Sequence, residues 1–291
     1  MQKIVPHLWF DHQAGDAAVL YTSLFDDSSV HSRSGMSGTP SGEVQIVNLS
    51  LLGQEFMFLS AGPEFRFTPA VSFLVSCRSK AEVDRYWQTL SDSGSVMMPL
   101  DRYPFSDRYG WIADRYGLSW QLMYSPESPG QRIVPTLMFV GENCGHTEAG
   151  VEFYTSVFHE TSVQHLMRYG PGSEPNRPEF VQHAAFTLEG QSFAAMDSAL
   201  RHDFGFNEAV SFIVRCESQE EIDYYWKLLS ARPEAERCGW LKDRYGLSWQ
   251  VLPSFMDRLM MKPDGSPNGK AVEAMLAMKK LDIAALRAAG T

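Results

Sequence analysis

The sequence contains no close pair of cysteines, no long apolar segment and no excess of basic charge. Its four cysteines are too widely spaced for a zinc knuckle or a redox dithiol; they are Cys77, Cys144, Cys216 and Cys238. No apolar run approaches the roughly 18 residues that predict a membrane span, and the start Met1-Gln2-Lys3 lacks an apolar signal core. We therefore expect a cytoplasmic protein that does not enter a membrane, with Cys77 and Cys216 as buried thiols.

Acidic residues outnumber basic ones by 35 to 25, which gives a net charge of −10. A negative chain is repelled by phosphate backbones, so we expect no nucleic-acid partner. The sequence also lacks a Gly-rich turn after a first strand, the usual phosphate-binding signal. Gly170-Pro171-Gly172 lies between predicted strands and does not match that pattern. We therefore find no motif for S-adenosylmethionine or a nucleotide.

The strongest positive signal is an internal duplication. Residues 110–121 read GWIADRYGLSWQ and residues 239–250 read GWLKDRYGLSWQ, with ten of twelve positions identical. Further matches extend almost from end to end, including Ile4-Val5-Pro6 with Ile133-Val134-Pro135 and Ala70–Phe73 with Ala209–Phe212. Solenoid and propeller repeats run to about 20–50 residues. The longer period here indicates two duplicated domains, and we place them at residues 1–126 and 131–254.

Each copy is predicted to contain a strand, a helix and three strands, and then approximately the same series again. In the first copy, apolar patterning predicts strands over Ile4–Phe10, Val44–Leu52, Glu55–Leu59, Val71–Cys77, Trp111–Asp114 and Ser119–Tyr124. It predicts helices over Ala14–Leu24 and Ser79–Leu90, the second capped by Ser79 with Glu82 three residues on. The order corresponds to an α+β fold.

Two segments depart from the repeat. The first copy carries an insert of ten residues containing Asp101–Asp107, which we expect to be a loop. Residues 255–291 form a tail outside both copies, and its apolar spacing predicts one helix over Ala271–Ala289. We expect Asp114-Arg115 and Asp243-Arg244 to be turn residues whose charges are solvated or paired.

The repeated motifs resemble those of the PhnB-like family, which is often labelled 3-demethylubiquinone-9 3-methyltransferase-like. The resemblance rests on Ile-Val-Pro-x-Leu-x-Phe at the start of each copy, Gly-Gln-x-Phe, Ala-Val-Ser-Phe and GWLKDRYGLSWQ. That family belongs to the vicinal oxygen chelate superfamily of glyoxalase, bleomycin-resistance and extradiol dioxygenase proteins. It implies two tandem domains, each of two βαβββ modules that form a curved, barrel-like sheet around a cavity, followed here by a C-terminal helix. The tandem would be a pseudo-dimer within one chain, and a homodimer of chains stays open.

The resemblance also implies where a divalent metal would bind. Metal-using relatives take ligands from a first strand and from carboxylates on later strands. The last-strand carboxylate position holds Gln121 and Gln250, and amides are weaker ligands for a hard cation. The first-strand histidine position falls on Pro6, with His7 beside it, so we expect His7 to be a partly exposed histidine unless the register shifts by one. Asp197 occupies the third position of the second copy, and the candidate pairs are His7 with Gln121 and Asp197 with Gln250.

Aromatic residues and one further histidine are candidates for lining a ligand cavity. Most of the tryptophans are expected to pack in the core, since aromatic side chains fill sheet interiors first. His183 aligns with Ile46 and faces either the core or the cavity. The cavity candidates are Trp9, Phe67, Trp111, Trp120, His183, Phe206, Trp240 and Trp249.

Three functional hypotheses follow. The first is a glyoxalase-fold protein that binds a small, partly apolar molecule, with the question of catalysis open. The second is a metal-dependent lyase, isomerase or dioxygenase that acts from one copy. The third is a protein that sequesters a drug-like molecule between its paired domains. The sequence does not decide whether the protein is an enzyme, because fold analogy alone cannot fix an activity.

Overall fold

The chain folds as four consecutive modules and a helical tail in a computed structural model that describes residues 1–39, 41–127, 130–261, 266 and 268–290. The first module contains β1 (Ile4–Phe10), α1 (Ala14–Leu24), β2 (Ser29–Thr39), β3 (Gly42–Leu51) and β4 (Gln54–Ser60). The second contains β5 (Val71–Cys77), α2 (Lys80–Leu90), β6 (Ser95–Tyr103), β7 (Ser106–Ala113) and β8 (Ser119–Tyr124).

The second copy repeats this order. The third module contains β9 (Ile133–Phe139), α3 (Thr147–Val157), β10 (Ser162–Arg168), β11 (Val181–Leu188) and β12 (Gln191–Asp197). The fourth contains β13 (Val210–Cys216), α4 (Gln219–Leu229), β14 (Trp240–Lys242) and β15 (Ser248–Pro253). The tail contains α5 (Met256–Met260), α6 (Gly269–Leu276) and α7 (Ile283–Gly290). No helix among the described residues is long and apolar enough to cross a membrane.

Each sheet combines one module from each copy. Sheet A has the strand order β14-β15-β13-β1-β4-β3-β2 and joins the first module to the fourth. Sheet B has the order β10-β11-β12-β9-β5-β8-β7-β6 and joins the second module to the third. The joins are antiparallel, with Ile4 opposite Val214 and Val71 opposite Leu137. The curved sheets and the α+β class are as expected, whereas the sequence did not show that the two copies share them.

One face of each sheet is covered by helices, which leaves the other face free for a site. On β4, Phe56 and Phe58 are buried in the core, and Phe58 meets Tyr21 of α1 edge-on. Successive side chains of a strand point to opposite faces, so Met57 and Leu59 point away from α1. The same alternation places His7 and Trp9 of β1 beside them, because His7 is opposite Met57 and Trp9 is opposite Leu59.

Local sequence explains where α2 and α4 begin. Ser79 Oγ accepts a hydrogen bond from the Glu82 amide, and the Glu82 carboxylate accepts one from the Arg78 amide. Ser218 and Glu221 repeat this arrangement at α4. The two bonds satisfy amides that the first helical turn leaves without partners. The predicted cap of α2 is therefore confirmed.

The insert of the first copy forms a β-hairpin, so the predicted loop over Asp101–Asp107 was wrong. Most of the insert extends β6 and β7, with Asp101 opposite Tyr109 and Tyr103 opposite Ser106. The composition of this polar segment does not predict a strand. Its pairing with β7 provides hydrogen-bond partners for its backbone groups and so makes it one.

The predicted C-terminal helix is present, but the span Ala271–Ala289 is divided into two helices, α6 and α7. The Met278 and Lys279 carbonyls accept hydrogen bonds from the Cys238 and Gly239 amides ahead of β14. Asp282 then caps a new helix by accepting a hydrogen bond from the Ala285 amide. Contacts with the fourth module therefore break the helix where its apolar spacing continues.

The repeated Asp-Arg-Tyr-Gly motif forms a buried junction between helix and sheet. Asp243 Oδ1 accepts from the Tyr245 and Leu247 amides at 2.8 and 3.1 Å, which makes the expected turn. Its Oδ2 accepts from Tyr154 Oη of α3 and from Trp249 Nε1, both at 2.9 Å. Asp243 is fully buried.

The expectation that these aspartates are solvated or paired with cations was wrong. In the first copy, Asp114 is buried and accepts hydrogen bonds from Tyr21 and Trp120. Burial raises the pKa of Asp243 to about 6, although all four of its hydrogen-bond donors favour the charged form. Desolvation is therefore the dominant effect on this carboxyl.

Candidate functional site

A cavity of about 460 Å³ lies on the face of sheet A that α1 and α4 do not cover. Strands from both ends of the chain line its floor: His7 and Trp9 from β1, Met57 and Leu59 from β4, and Gln250 from β15. The first and fourth modules therefore build this cavity together. The sequence of either copy alone could not have predicted a cavity that is built from modules of both copies.

The tail covers the cavity with flexible apolar side chains. The residues that face it from α5, α6 and their flanks are Met256, Met260, Met261, Val272, Met275 and Leu276. Methionine has a flexible, polarisable side chain that adapts to ligands of different shape. This wall was not predicted from the sequence, although the methionines that cluster after residue 255 were a usable signal.

Three neutral polar side chains are in contact at the floor of the cavity: His7 and Gln250 line it, and Ser211 is buried between them. Gln250 Nε2 donates to Ser211 Oγ at 3.0 Å, and Ser211 Oγ lies 3.3 Å from His7 Nδ1. The strands fix this arrangement, since Ser211 is opposite His7 in the β1–β13 pair. Burial lowers the pKa of His7 to about 3, so its imidazole is neutral at physiological pH.

The expectation that His7 is a partly exposed histidine was wrong. Its side chain faces the cavity and is 3% exposed. The ring of Trp240 meets the imidazole edge-on at 5.3 Å between ring centres, and Trp240 lies 6.3 Å from Trp9. Pairing with both β4 and β13 sets the register of β1, and the sequence did not show that β1 pairs with these two strands.

Sheet B repeats the glutamine and the serine of this set, with Thr136 at the position of His7, and a tyrosine of sheet B lies against the glutamine. Gln121 Nε2 donates to Ser72 Oγ at 2.8 Å, and Tyr109 Oη donates to Gln121 Oε1 at 2.7 Å. Tyr109 is buried against Phe105 and Tyr103, which belong to the hairpin of the insert. The insert of the first copy therefore covers the part of sheet B that corresponds to the cavity floor of sheet A.

His183 lies on β11 of sheet B and pairs with a second histidine. Its Nδ1 is 2.8 Å from His165 Nε2 on β10, and the two rings stack at 5.0 Å. Burial, with a smaller effect from His165, lowers the pKa of His183. His183 therefore does not belong to the cavity of sheet A.

The seven predicted cavity residues other than His183 fall into three groups. Trp9 and Trp240 line the cavity of sheet A. Trp111 lies on β7 of sheet B, where its Nε1 donates to Ser119 Oγ at 2.8 Å. The remaining four do not line the sheet A cavity: Trp120 and Trp249 are buried beneath the helices, and Phe67 and Phe206 pack against Phe10 and Phe139.

Both proposed pairs of metal ligands were wrong, because the copies exchange modules. His7 lies in sheet A beside Gln250, whereas Gln121 and Asp197 lie in sheet B. Asp197 already accepts hydrogen bonds from the Gly145, Thr147 and Val181 amides and from the Thr147 hydroxyl.

The donor set of sheet A does not fit a resident divalent metal. Its third strand position is Ser60, whose hydroxyl accepts a hydrogen bond from the Ala14 amide. One imidazole and one amide then remain, and two ligands do not make a site. Within the described part of the chain, no group of three or more His, Cys, Asp or Glu side chains could hold a metal ion.

The paired curved sheets define a protein of glyoxalase fold. Glyoxalase I from Zea mays has a TM-score of 0.54 with this chain, at 9% sequence identity, and the match covers 88% of this chain and 95% of that one. At this identity the similarity shows the fold alone. A comparison with curated proteins gives no match.

The chain belongs to the PhnB-like family whose model is described as 3-demethylubiquinone-9 3-methyltransferase. That model matches twice in tandem, at residues 2–123 and 131–252. A Bacillus cereus protein that carries this family name together with the name PhnB is 39% identical, covers 43% of this chain and 100% of its own length, and has a TM-score of 0.40. The family name describes the family and does not assign methyl transfer to this chain.

Proposed function

We propose that this protein binds a small, partly apolar molecule in the cavity of sheet A. The observation that carries the proposal is the cavity itself: about 460 Å³ with apolar walls and a few polar groups at its floor. Pockets that hold small organic ligands have this size and this mixture of surfaces.

The polarity of the floor favours an uncharged group on the ligand. His7, Ser211 and Gln250 are neutral, and His7 is held in that form by burial. Charged side chains elsewhere in the lining include Arg33, Arg237 and Glu208, and Glu208 forms an ion pair with Lys242 at 2.9 Å. A ligand that places its charge at the floor would lose hydration without gaining a counterion from these three groups.

Filling the cavity tests the proposal. Leu59→Trp places a large ring in the cavity of sheet A, and Met196→Trp places the same ring at the equivalent position of sheet B. We expect the protein to bind Nile red, an uncharged apolar dye, and Leu59→Trp to weaken binding at least about tenfold, which corresponds to the loss of roughly 1.4 kcal/mol of contacts. Fluorescence titration measures both.

The control variant Met196→Trp should bind the dye as the wild-type protein does. Far-UV circular dichroism of both variants checks that they are folded. A folded Leu59→Trp variant with unchanged affinity for the dye, or a wild-type protein that binds no dye, would contradict the proposed cavity.

A further inference from the structure

The two sheets carry the same polar residues at the same strand positions. Gln250, Ser211 and Trp240 of sheet A align with Gln121, Ser72 and Trp111 of sheet B. In both sheets the glutamine amide donates to the serine, at 3.0 and 2.8 Å. Sheet B therefore shows which hydrogen-bond partners these side chains have when the protein itself supplies them.

In sheet B the polar groups find partners within the protein. Tyr109 Oη donates to Gln121 Oε1 at 2.7 Å, and Trp111 Nε1 donates to Ser119 Oγ at 2.8 Å. The Tyr109 ring is buried among aromatic side chains, with Phe105 at 4.9 Å between ring centres. The acceptor Gln121 Oε1 thus receives its hydrogen bond from a phenol of the protein itself, Tyr109.

In sheet A these partners are missing among the described residues. Cys238 stands where the repeat alignment places Tyr109, and among the described residues no tyrosine hydroxyl donates to Gln250. Gln250 Oε1, Trp240 Nε1 and Ser248 Oγ form no hydrogen bond with the described part of the protein. Gln250 is 5% exposed and Ser248 is 1% exposed, and both line the cavity. Since none of these three atoms is enclosed in the protein, they open onto the cavity, where a ligand or water can form the missing hydrogen bonds.

We propose that the ligand of sheet A carries a hydroxylated aromatic ring whose hydroxyl donates a hydrogen bond to Gln250 Oε1. Its ring takes the place that the Tyr109 ring occupies in sheet B. The inference rests on the proposed function, because it names the class of molecule that the cavity binds. Gln250 Oε1 is an acceptor, so it selects a protonated hydroxyl over an ether of the same shape.

Aromatic and sulfur-containing side chains around this acceptor favour a ring over an aliphatic alcohol. Trp9 and Trp240 line the cavity beside His7, and Met275 faces it from α6. Edge-to-face contacts between aromatic rings, and contacts between methionine sulfur and ring edges, each stabilise a bound ring beyond its apolar area.

Three probes of similar size separate the hydroxyl from the ring: naphthol, methoxynaphthalene and naphthalene. We expect the wild-type protein to bind naphthol at least about tenfold more tightly than methoxynaphthalene, the factor that one hydrogen bond of roughly 1.4 kcal/mol supplies. Calorimetric titration measures the three affinities.

Gln250→Met removes the acceptor and keeps the length of the side chain. We expect this variant to bind naphthol and methoxynaphthalene equally, at the affinity that methoxynaphthalene has for the wild-type protein. The matched control is Gln121→Met in sheet B, which should leave the preference for naphthol unchanged.

The outcomes distinguish this inference from the proposed function. If all three probes bind the wild-type protein equally, the cavity binds apolar molecules and the hydroxyl inference is overturned. If Nile red and all three probes fail to bind, the proposed function itself is overturned. If Gln121→Met removes the preference as fully as Gln250→Met, sheet B is the binding site and the assignment to sheet A is wrong.

Discussion

The hydrogen bond between Tyr154 and Asp243 provides a direct test of the buried junction between α3 and sheet A. Tyr154→Phe keeps the ring and removes one of four donors to a fully buried carboxyl. A hydrogen bond to a charged group contributes about 1.5–3 kcal/mol. We therefore expect Tyr154→Phe to lower the free energy of unfolding by about 2 kcal/mol near neutral pH, measured by urea unfolding followed by far-UV circular dichroism.

The cost should depend on pH in a defined direction. Burial raises the pKa of Asp243 to about 6 in the folded protein, and the unfolded value is about 3.9. The folded protein therefore holds this proton more tightly, and the stability that the group contributes below about pH 4 is lost as pH rises through about 6. Tyr154 favours the charged form, so its removal costs most above about pH 6 and falls to about 1 kcal/mol near pH 4, where the partner is a neutral carboxyl.

Tyr245→Phe is the matched control. The Tyr245 ring lies 6.2 Å from Tyr154 in the same junction, and its hydroxyl forms no hydrogen bond with the described residues. We expect its substitution to change the free energy of unfolding by less than about 0.5 kcal/mol. Equal costs for the two variants, or a cost of Tyr154→Phe that does not decrease on acidification, would refute the role assigned to Asp243.

Two further predictions concern close packing and thiol burial. Gly150→Ala in α3 should lower the free energy of unfolding by about 1–3 kcal/mol, because the new methyl group would lie 2.6 Å from the Phe139 ring. In the control Gly269→Ala the methyl group meets nothing within 4 Å, so this change should be neutral or slightly stabilising. Urea unfolding of both variants measures the difference. Cys77 and Cys216 are fully buried and burial raises their pKa values, so we expect neither to react with a thiol reagent at about pH 8 until the protein is unfolded. Rapid modification of either thiol in the folded protein would contradict their placement.

Local features of the fold could be predicted from the sequence. The cap of α2 depends on Ser79 and Glu82, which are three residues apart, and β1 and β5 are mostly apolar segments that Asp11 and Arg78 follow. Strand β2 was missed because Ser29–Thr39 is polar, and it becomes a strand through its pairing with β3. Local sequence does not contain that information.

Much of the candidate site could not be predicted because it depends on which strands pair. The side chain of His7 reaches the cavity in the register that β4 and β13 impose on β1. Gln250 becomes its neighbour only because the fourth module joins the first. The sequence predicted that Asp243 makes a turn, but its second oxygen is satisfied by Tyr154, which lies in a distant helix.

The exchange of modules also sets the order in which the chain can fold during synthesis. Sheet B is built from one continuous stretch, β5 to β12, so all its strands are available once Asp197 has been made. Sheet A requires Ile4 to pair with Val214, and its first module must wait for nearly the whole chain. Until β13 has been made, the edge of β1 that pairs with it has no partner strand. An unpaired strand edge can pair with another chain and cause aggregation. Sheet B can therefore be complete before the cavity of sheet A forms.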